Sequence, residues 1–303
     1  MKAGGKGGEY LNQGIRGYIL LALVAAIWGL AYSLSKPALV LIDPFTFLEA
    51  RFILAGVVIL PFIKLKEFEK RKVFQGALTG IVLYLSYIFT FIGLSIATIT
   101  ATGFISSLYV LWVPIISAIV ARCLPNRFTL LGIILAVVGL GFVMIDRDLV
   151  LGFGELTVFA GSLCTAIYIM LVSRLTGLQN PFNFSAVQIW SITVFGIVAI
   201  LFKGEINWQS LNNPTIFIAI SFNGIIATAF TIILQNYAQK YVSPSHTSTI
   251  LCTEPVFTAL FARIINSEYV RTSVYMGGCL IVCAICLQAY SAMKLRNSLS
   301  IEN

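Results

Sequence analysis

Apolar runs of roughly membrane-spanning length, about 20 residues, alternate along this chain with short clusters of Lys, Arg, Asp, Pro and Gly. Cutting at those clusters predicts ten spans, near residues 17–35, 45–63, 73–93, 99–121, 128–145, 156–173, 182–202, 214–237, 246–262 and 273–292. The pattern also repeats. Pro114 to Arg122, Pro-Ile-Ile-Ser-Ala-Ile-Val-Ala-Arg, returns 141 residues later as Pro255 to Arg263, Pro-Val-Phe-Thr-Ala-Leu-Phe-Ala-Arg. Asp43-Pro44-Phe45 with Phe47 returns as Asn180-Pro181-Phe182 with Phe184, at an offset of 137. Two echoes in the same order at nearly one spacing predict a duplicated chain with five spans per half. Five is odd, so the second half must enter the bilayer in the opposite sense to the first. The expected fold class is all-α integral membrane, with ten transmembrane helices as two inverted five-helix repeats. The expected organisation is a cytoplasmic leader over 1–14, repeats over 15–149 and 150–292, and a cytoplasmic tail over 293–303. The join falls within Asp146 to Gly154.

Composition agrees with this class. Charged residues make up 11% of the chain and mean hydropathy is +0.93, so most of its length belongs in hydrocarbon rather than around a soluble core. The net charge of +8 does not point to nucleic acid, because the cations lie in short loops between apolar runs and not on one face or tail. They read as topology signals. Of the 20 Lys and Arg residues, only Lys36, Arg147, Lys203, Arg263 and Arg271 fall on one side; Arg51 lies inside a span and all the others fall opposite. The positive-inside rule then places both termini in the cytoplasm; the membrane expected is the bacterial cytoplasmic (inner) membrane. Met1 to Gly14, Gly-rich and mildly basic, reads as a disordered leader without helix periodicity. The first span is full length and followed by many more, so it is expected to be retained. The longest connections, Lys64 to Lys72 and Lys203 to Asn213, leave no room for an appended catalytic domain.

Several short motifs then fall in a recognisable order. They are Trp28-Gly29, Pro44 with Arg51-Phe52, Gly103-Phe104-Ile105, Leu108-Tyr109-Val110 with Pro114, Glu254-Pro255, Ser267-Glu268 and Gly277-Gly278. Across essentially the whole chain this resembles the EamA family of the drug/metabolite transporter superfamily. The resemblance implies a ten-helix carrier working by alternating access on small organic metabolites, commonly as an exporter. One departure stands out: the family usually places a Gly-Glu pair after the fourth span as after the ninth, whereas this chain has Pro125-Asn126-Arg127 there. The role of the loop Cys123 to Arg127 is therefore left open.

Glu49, Arg51 and Glu254 are the ionisable groups that fall inside predicted spans, where a charge costs at least about 2–3 kcal/mol. Glu254 lies near mid-span directly before Pro255. Proline removes a backbone donor, so carbonyls near Thr249 to Leu251 are expected to be freed beside the carboxylate, a setting suited to an amine or a proton. The alternative is a neutral, hydrogen-bonded strut with Pro255 as a packing kink. Pro114 is expected to be the same kink in the first half, preceded by Val113 instead of an acid. Arg51 lies about 9 Å into its helix at 1.5 Å per residue, near enough to snorkel outward as an anchor; a gate or anion contact is the second reading. Glu49 and Arg51 are two positions apart and face different sides. His246 opens the ninth span as a polar cap or a pH-sensitive gate.

Trp28, Tyr84, Tyr109, Trp112 and Tyr168, with the amides Gln188, Gln235 and Asn236, lie at mid-span. Tyr109 and Trp112 share a helix face and either stack a planar or cationic solute or fill a helix interface. Cys283-x-x-Cys286 has a metal or redox spacing but no matching second pair, so the cysteines read as small packing residues, and no metal or cofactor is implied. Gly76 with Gly80, and Gly277 with Gly278, predict close helix contacts.

The function expected is a secondary active transporter of a small polar metabolite, an amino acid or derivative, with protons as a candidate coupling ion, lipid as surroundings and no nucleic-acid partner. The alternatives are an exchanger of a larger cofactor-like or nucleotide-type metabolite, and a non-transport receptor or scaffold. A membrane-embedded enzyme is not expected, since no nucleophile, base and metal-ligand constellation shares one depth. Substrate, direction and oligomeric state are not fixed by the residues.

Overall fold

A computed structural model describes residues 4–64, 69–122, 127–144, 152–178, 180–203, 211–269 and 271–301. Thirteen α-helices run through them. They are α1 (Gly4–Leu39), α2 (Pro44–Ile59), α3 (Lys70–Ile96), α4 (Ile99–Ser106), α5 (Tyr109–Ala121), α6 (Arg127–Met144) and α7 (Phe153–Leu175), then α8 (Pro181–Lys203), α9 (Pro214–Ser221), α10 (Thr231–Ala238), α11 (Pro244–Leu251), α12 (Glu254–Asn266) and α13 (Thr272–Ile301). A π-helical stretch, Phe222–Phe230, joins α9 to α10. No strand occurs among the described residues. Eight helical stretches are long and apolar enough to cross a membrane, and Arg127–Gly139 and Tyr275–Leu287 are shorter apolar helices. The chain is an all-α integral membrane protein.

Local sequence sets the helix starts. Asp43 caps α2, its carboxylate accepting the Phe45 and Thr46 amides at 3.1 and 3.2 Å, with Pro44 in the first turn where a missing N–H costs nothing. Asn180 accepts the Phe182 amide at 3.0 Å ahead of Pro181, so the echoed Asx-Pro-Phe motif is a helix start twice over. The predicted fourth and ninth spans are each broken. Both consist of an 8-residue helix, a two-residue break and a 13-residue helix. Both end on a left-handed residue, Arg122 at φ 50° and Ser267 at φ 54°.

The causes of the two breaks differ. Pro255 cannot donate to the Leu251 carbonyl, so α11 stops at Leu251 and α12 restarts at Glu254, with Pro255 in its first turn. In the first half the hydroxyls of Ser106 and Ser107 both donate to the Gly103 carbonyl at 3.0 Å, competing with the helix just before the break. Pro114 lies in the interior of α5, beyond its break. The two prolines are thus not the same kink. The helix ends are in register at the 145-residue separation of Tyr109 and Glu254, one turn more than the copied Pro-to-Arg segments.

One expectation about the ends is corrected, that the leader lacks helical structure. Helix α1 already begins at Gly4, within the leader, and α13 continues to Ile301, through the expected tail. Elongation adds a hydrogen bond per residue once a helix exists, and neither segment contains a proline to stop it. Most of the join at Asp146 to Gly154, residues 65–68 of the Lys64 to Lys72 connection, most of the Lys203 to Asn213 connection, and Cys123 to Asn126 lie outside the described residues.

The core forms where α3 packs on α7 and α8, α1 on α12, α2 on α8 and the π stretch, and α6 on α13. Glycines set the closest approaches. A Cβ on Gly80 would lie 2.7 Å from the Gln188 carbonyl, and one on Gly139 would lie 2.7 Å from the Gly277 carbonyl. Cys279, Cys283 and Cys286, read as small packing residues, are free thiols on the exposed face of α13, whose inward face carries Ile281 and Ala284.

Gly29 makes another such close approach, since a Cβ there would sit 2.7 Å from the backbone nitrogen of Thr258. Gly29→Ala should destabilise the protein by about 1–3 kcal/mol through overpacking. Gly14→Ala, where nothing lies within 4 Å, should not. Thermal unfolding of the two variants in detergent checks the difference.

Candidate functional site

A buried cavity opens where α1, α2, α3, α4, α5, α7 and α12 meet. Its walls are Trp28, Ala31 and Tyr32 from α1, Arg51 from α2, Leu83, Ser86, Tyr87, Thr90 and Phe91 from α3, and Ser106, Tyr109, Thr165, Tyr168 and Glu254 from α4, α5, α7 and α12. The cavity volume is about 50 Å³, so the space is narrow in this structure.

Glu254 reaches the cavity because the break after Leu251 makes it the first residue of α12. Its side chain is 2% exposed, and Tyr109, the first residue of α5, donates its hydroxyl to Glu254 Oε2 at 3.4 Å. The positions that open the second helical segment in each half therefore touch. The turn carrying Glu254 is clamped from both sides. Thr258 returns its hydroxyl to the Glu254 carbonyl at 2.9 Å, while Gly29 of α1 and Gly103 of α4 press on Thr258, each leaving no room for a Cβ. The Ile250 carbonyl, expected to be freed by Pro255, is taken by the Thr253 amide at 3.1 Å and hydroxyl at 2.8 Å.

Arg51 does not snorkel. It is 1% exposed and lies over three rings, 4.6 Å from the Tyr87 centroid, 5.2 Å from Phe91 and 5.7 Å from Phe52. Cation–π attraction in a desolvated site is worth about 2 kcal/mol, and here it is joined by hydrogen bonds. Arg51 Nε donates to Thr228 Oγ1 at 2.6 Å and Nη2 to the Ala227 carbonyl at 3.1 Å. The π register makes that carbonyl available, because the Thr231 amide, its partner in an α-helix, bonds Ile226 instead. Trp28 Nε1 at 3.2 Å and the Thr231 hydroxyl at 2.8 Å converge on the same oxygen. Nη1 of Arg51 has no partner. Arg51 and Glu254 thus line one cavity without forming an ion pair.

Of the residues expected along the pathway, Trp28, Tyr109, Tyr168 and Glu254 meet here and the others do not. Trp112 turns away to set its ring edge-on to Phe159, 5.6 Å between centroids. Tyr84 borders the Gly196 position beside Glu49 and is not part of the cavity wall. Gln188 and Asn236 are buried in a separate network: Asn236 Nδ2 donates to Ser185 at 2.7 Å and to Gln188 Oε1 at 2.8 Å, and Gln188 Nε2 donates to Thr79 at 3.0 Å. His246 is not the cap of α11, since Ser243 accepts the amide there; its Nδ1 lies 2.7 Å from the Tyr18 hydroxyl. Sequence reasoning missed Tyr32, Tyr87 and Phe91. Tyr32 follows Trp28 by one helical turn and Phe91 follows Tyr87 likewise, a same-face spacing that pointed to them.

Apolar helices enclosing an aromatic cavity with one buried cation and one buried acid define an integral membrane protein with a polar site inside its spans. The chain belongs to the EamA-like transporter family, whose pattern matches residues 15–145 and 152–290. A protein of Archaeoglobus fulgidus described as an uncharacterized transporter is 32% identical over 88% of this chain and 83% of its own length. The uncharacterized transporter YyaM of Bacillus subtilis is 25% identical over 88% of this chain and 92% of its own. A crystal structure with 15% identity superposes with a TM-score of 0.71 over 95% of this chain and 99% of that one, which shows the shared fold. This is a membrane transporter.

Thr228 is the test of how Arg51 is held. Thr228→Val keeps the shape but removes the acceptor of Nε, so a buried charged donor loses its partner, a cost of about 1–3 kcal/mol. The expected outcome is a lower unfolding temperature in detergent, with Thr193→Val, whose hydroxyl only returns to its own helix at Ile189, much closer to wild type.

Proposed function

We propose that the protein is a secondary active transporter of a small zwitterionic metabolite, an amino acid or a close derivative, bound in the cavity between Arg51 and Glu254. The observation that carries this reading is that the two opposite charges line one cavity and do not pair. Each is buried at a cost that pairing would offset. A solute with an ammonium group for Glu254 and a carboxylate for the open Nη1 of Arg51 supplies an opposite charge to each. Tyr32, Tyr87 and Trp28 offer ring faces to the organic part. The narrowness of the space favours this solute over a larger cofactor-like or nucleotide-type one.

Alternating access between two inverted halves is the proposed mechanism. Its support is the odd number of predicted spans per half and the repeated 8-and-13-residue broken helices, whose breaks meet at Tyr109 and Glu254. Lys and Arg placement supports cytoplasmic termini in a bacterial cytoplasmic membrane and, by the family's habit, export. Protons are the proposed coupling ion.

Glu254→Gln keeps shape and hydrogen-bonding capacity but removes the charge. In proteoliposomes supplied with radiolabelled standard L-amino acids, with and without a pH gradient, the wild type should move at least one of them. Glu254→Gln should remain folded and lose that transport by at least about tenfold, equivalent to about 1.4 kcal/mol of charge interaction. Wild-type rates in Glu254→Gln would make the residue a strut. Transport of solutes lacking either charge in preference to zwitterions would refute the solute class.

A further inference from the structure

We propose that Glu49 is a second proton-binding site, separate from the solute cavity, and that its proton is coupled to the cavity through helix α2. The coupling half rests on the transporter reading above; the site itself stands on geometry alone.

Glu49 lies inside the span Pro44–Phe62 and is 2% exposed. Neither carboxyl oxygen has a hydrogen-bond partner, and the residue is absent from the cavity wall. It points instead into the seam of α2 with α8, where Oε2 occupies the space a Cβ on Gly196 would need, and Tyr84 of α3 borders the same spot. Only the missing side chain at 196 leaves room for the carboxyl. An ionised carboxylate without a donor costs several kcal/mol in such surroundings, so in this arrangement Glu49 is the neutral acid.

The surroundings offer no cation to replace the proton. Apart from the apolar turn Leu60–Phe62 that continues it, the elements packed against α2 are α3, α8, α9 and the π stretch. The last two carry no titratable residue, and α8 carries none before its terminal Lys203. Helix α3 contributes Tyr84 beside Glu49 and Tyr87 beneath Arg51; its Lys70, Arg71 and Lys72 are confined to the first turn. Arg51, two positions along α2, is committed on the other side to Thr228 and Ala227. Deprotonation therefore requires water to reach the α2–α8 seam. Because one rigid helix holds Glu49 in that seam and Arg51 in the cavity wall, opening the seam displaces the cation that faces the solute.

The test uses N,N′-dicyclohexylcarbodiimide on the full-length protein in detergent. A carboxylic acid in an apolar site gives its proton to a carbodiimide nitrogen while its oxygen adds to the central carbon; the adduct rearranges to a stable N-acylurea with no group lost. Peptide mass spectrometry should find this adduct on Glu49 in wild type and in Glu254→Gln. The rate should hold at acid pH and fall about tenfold per pH unit once the acid ionises. Absence of the adduct at every pH in folded protein, or a rate indifferent to pH, overturns the proton site. In proteoliposomes with radiolabelled standard L-amino acids, Glu49→Gln should keep solute counterflow within about twofold while losing pH-driven accumulation by about tenfold or more. Wild-type accumulation, or loss of counterflow as well, overturns the coupling. Failure of the wild type to move any amino acid would count against the solute class, while the labelling, which needs no solute, still decides the site.

Discussion

The carbonyl oxygen of Ala227 receives Arg51 Nη2, Trp28 Nε1 and the Thr231 hydroxyl in the middle of an apolar bundle. In a regular α-helix that oxygen would be occupied by the Thr231 amide. The π register moves the amide to Ile226, and the helix surrenders one acceptor where three donors from two other helices and its own next turn need it. Burying a guanidinium is feasible only with such compensation, because an isolated charge in this environment costs far more than any single contact returns. The rings of Tyr87 and Phe91 and the hydroxyl of Thr228 complete the enclosure. The position of the cation, the orientation of Trp28 and the packing of α1 and α2 on the π stretch all follow from one shifted hydrogen bond.

The acid is held by packing instead. Pro255 forces a restart at Glu254, and two glycines from different helices close on Thr258 one turn later, so the carboxylate is fixed by the absence of side chains around its helix. This gives a physical reading of two motifs. In Trp28-Gly29 the tryptophan faces the cavity and the glycine permits the approach of α12; Gly103 does the same from α4. Ser267 takes the left-handed conformation that ends α12, and Glu268 then accepts the Thr100 hydroxyl at 2.8 Å, tying that end to the start of α4.

Much of the architecture was legible in the chain. Span-length apolar runs, Asx-Pro helix starts at Asp43 and Asn180, and Glu254 before Pro255 each depend on local chemistry, and each is found in the structure. The π stretch was not legible, since Phe222–Phe230 reads as an ordinary apolar helix and its register is set by tertiary donors such as Arg51. Arg51 itself was misjudged because depth along a helix says nothing of direction around it; the aromatic rings it meets belong largely to α3. Trp112 shows the same limit. It shares a face with Tyr109 on paper, yet Phe159 draws its ring away from the cavity. Gln188 and Asn236 sit at mid-span as expected, but bond each other, Ser185 and Thr79 away from the cavity wall.

The two broken helices have an electrical consequence beyond positioning. Helices α5 and α12 each begin inside the protein, and their first residues, Tyr109 and Glu254, are in contact. Every helix start carries the positive end of the aligned peptide dipoles, equivalent to about half an elementary charge. At each break the preceding helix stops only two residues earlier, so the negative end of α4 or α11 lies beside the positive start of α5 or α12. Each break thus presents backbone of both signs at one depth, and polar groups of either sign can be met there without a charged side chain.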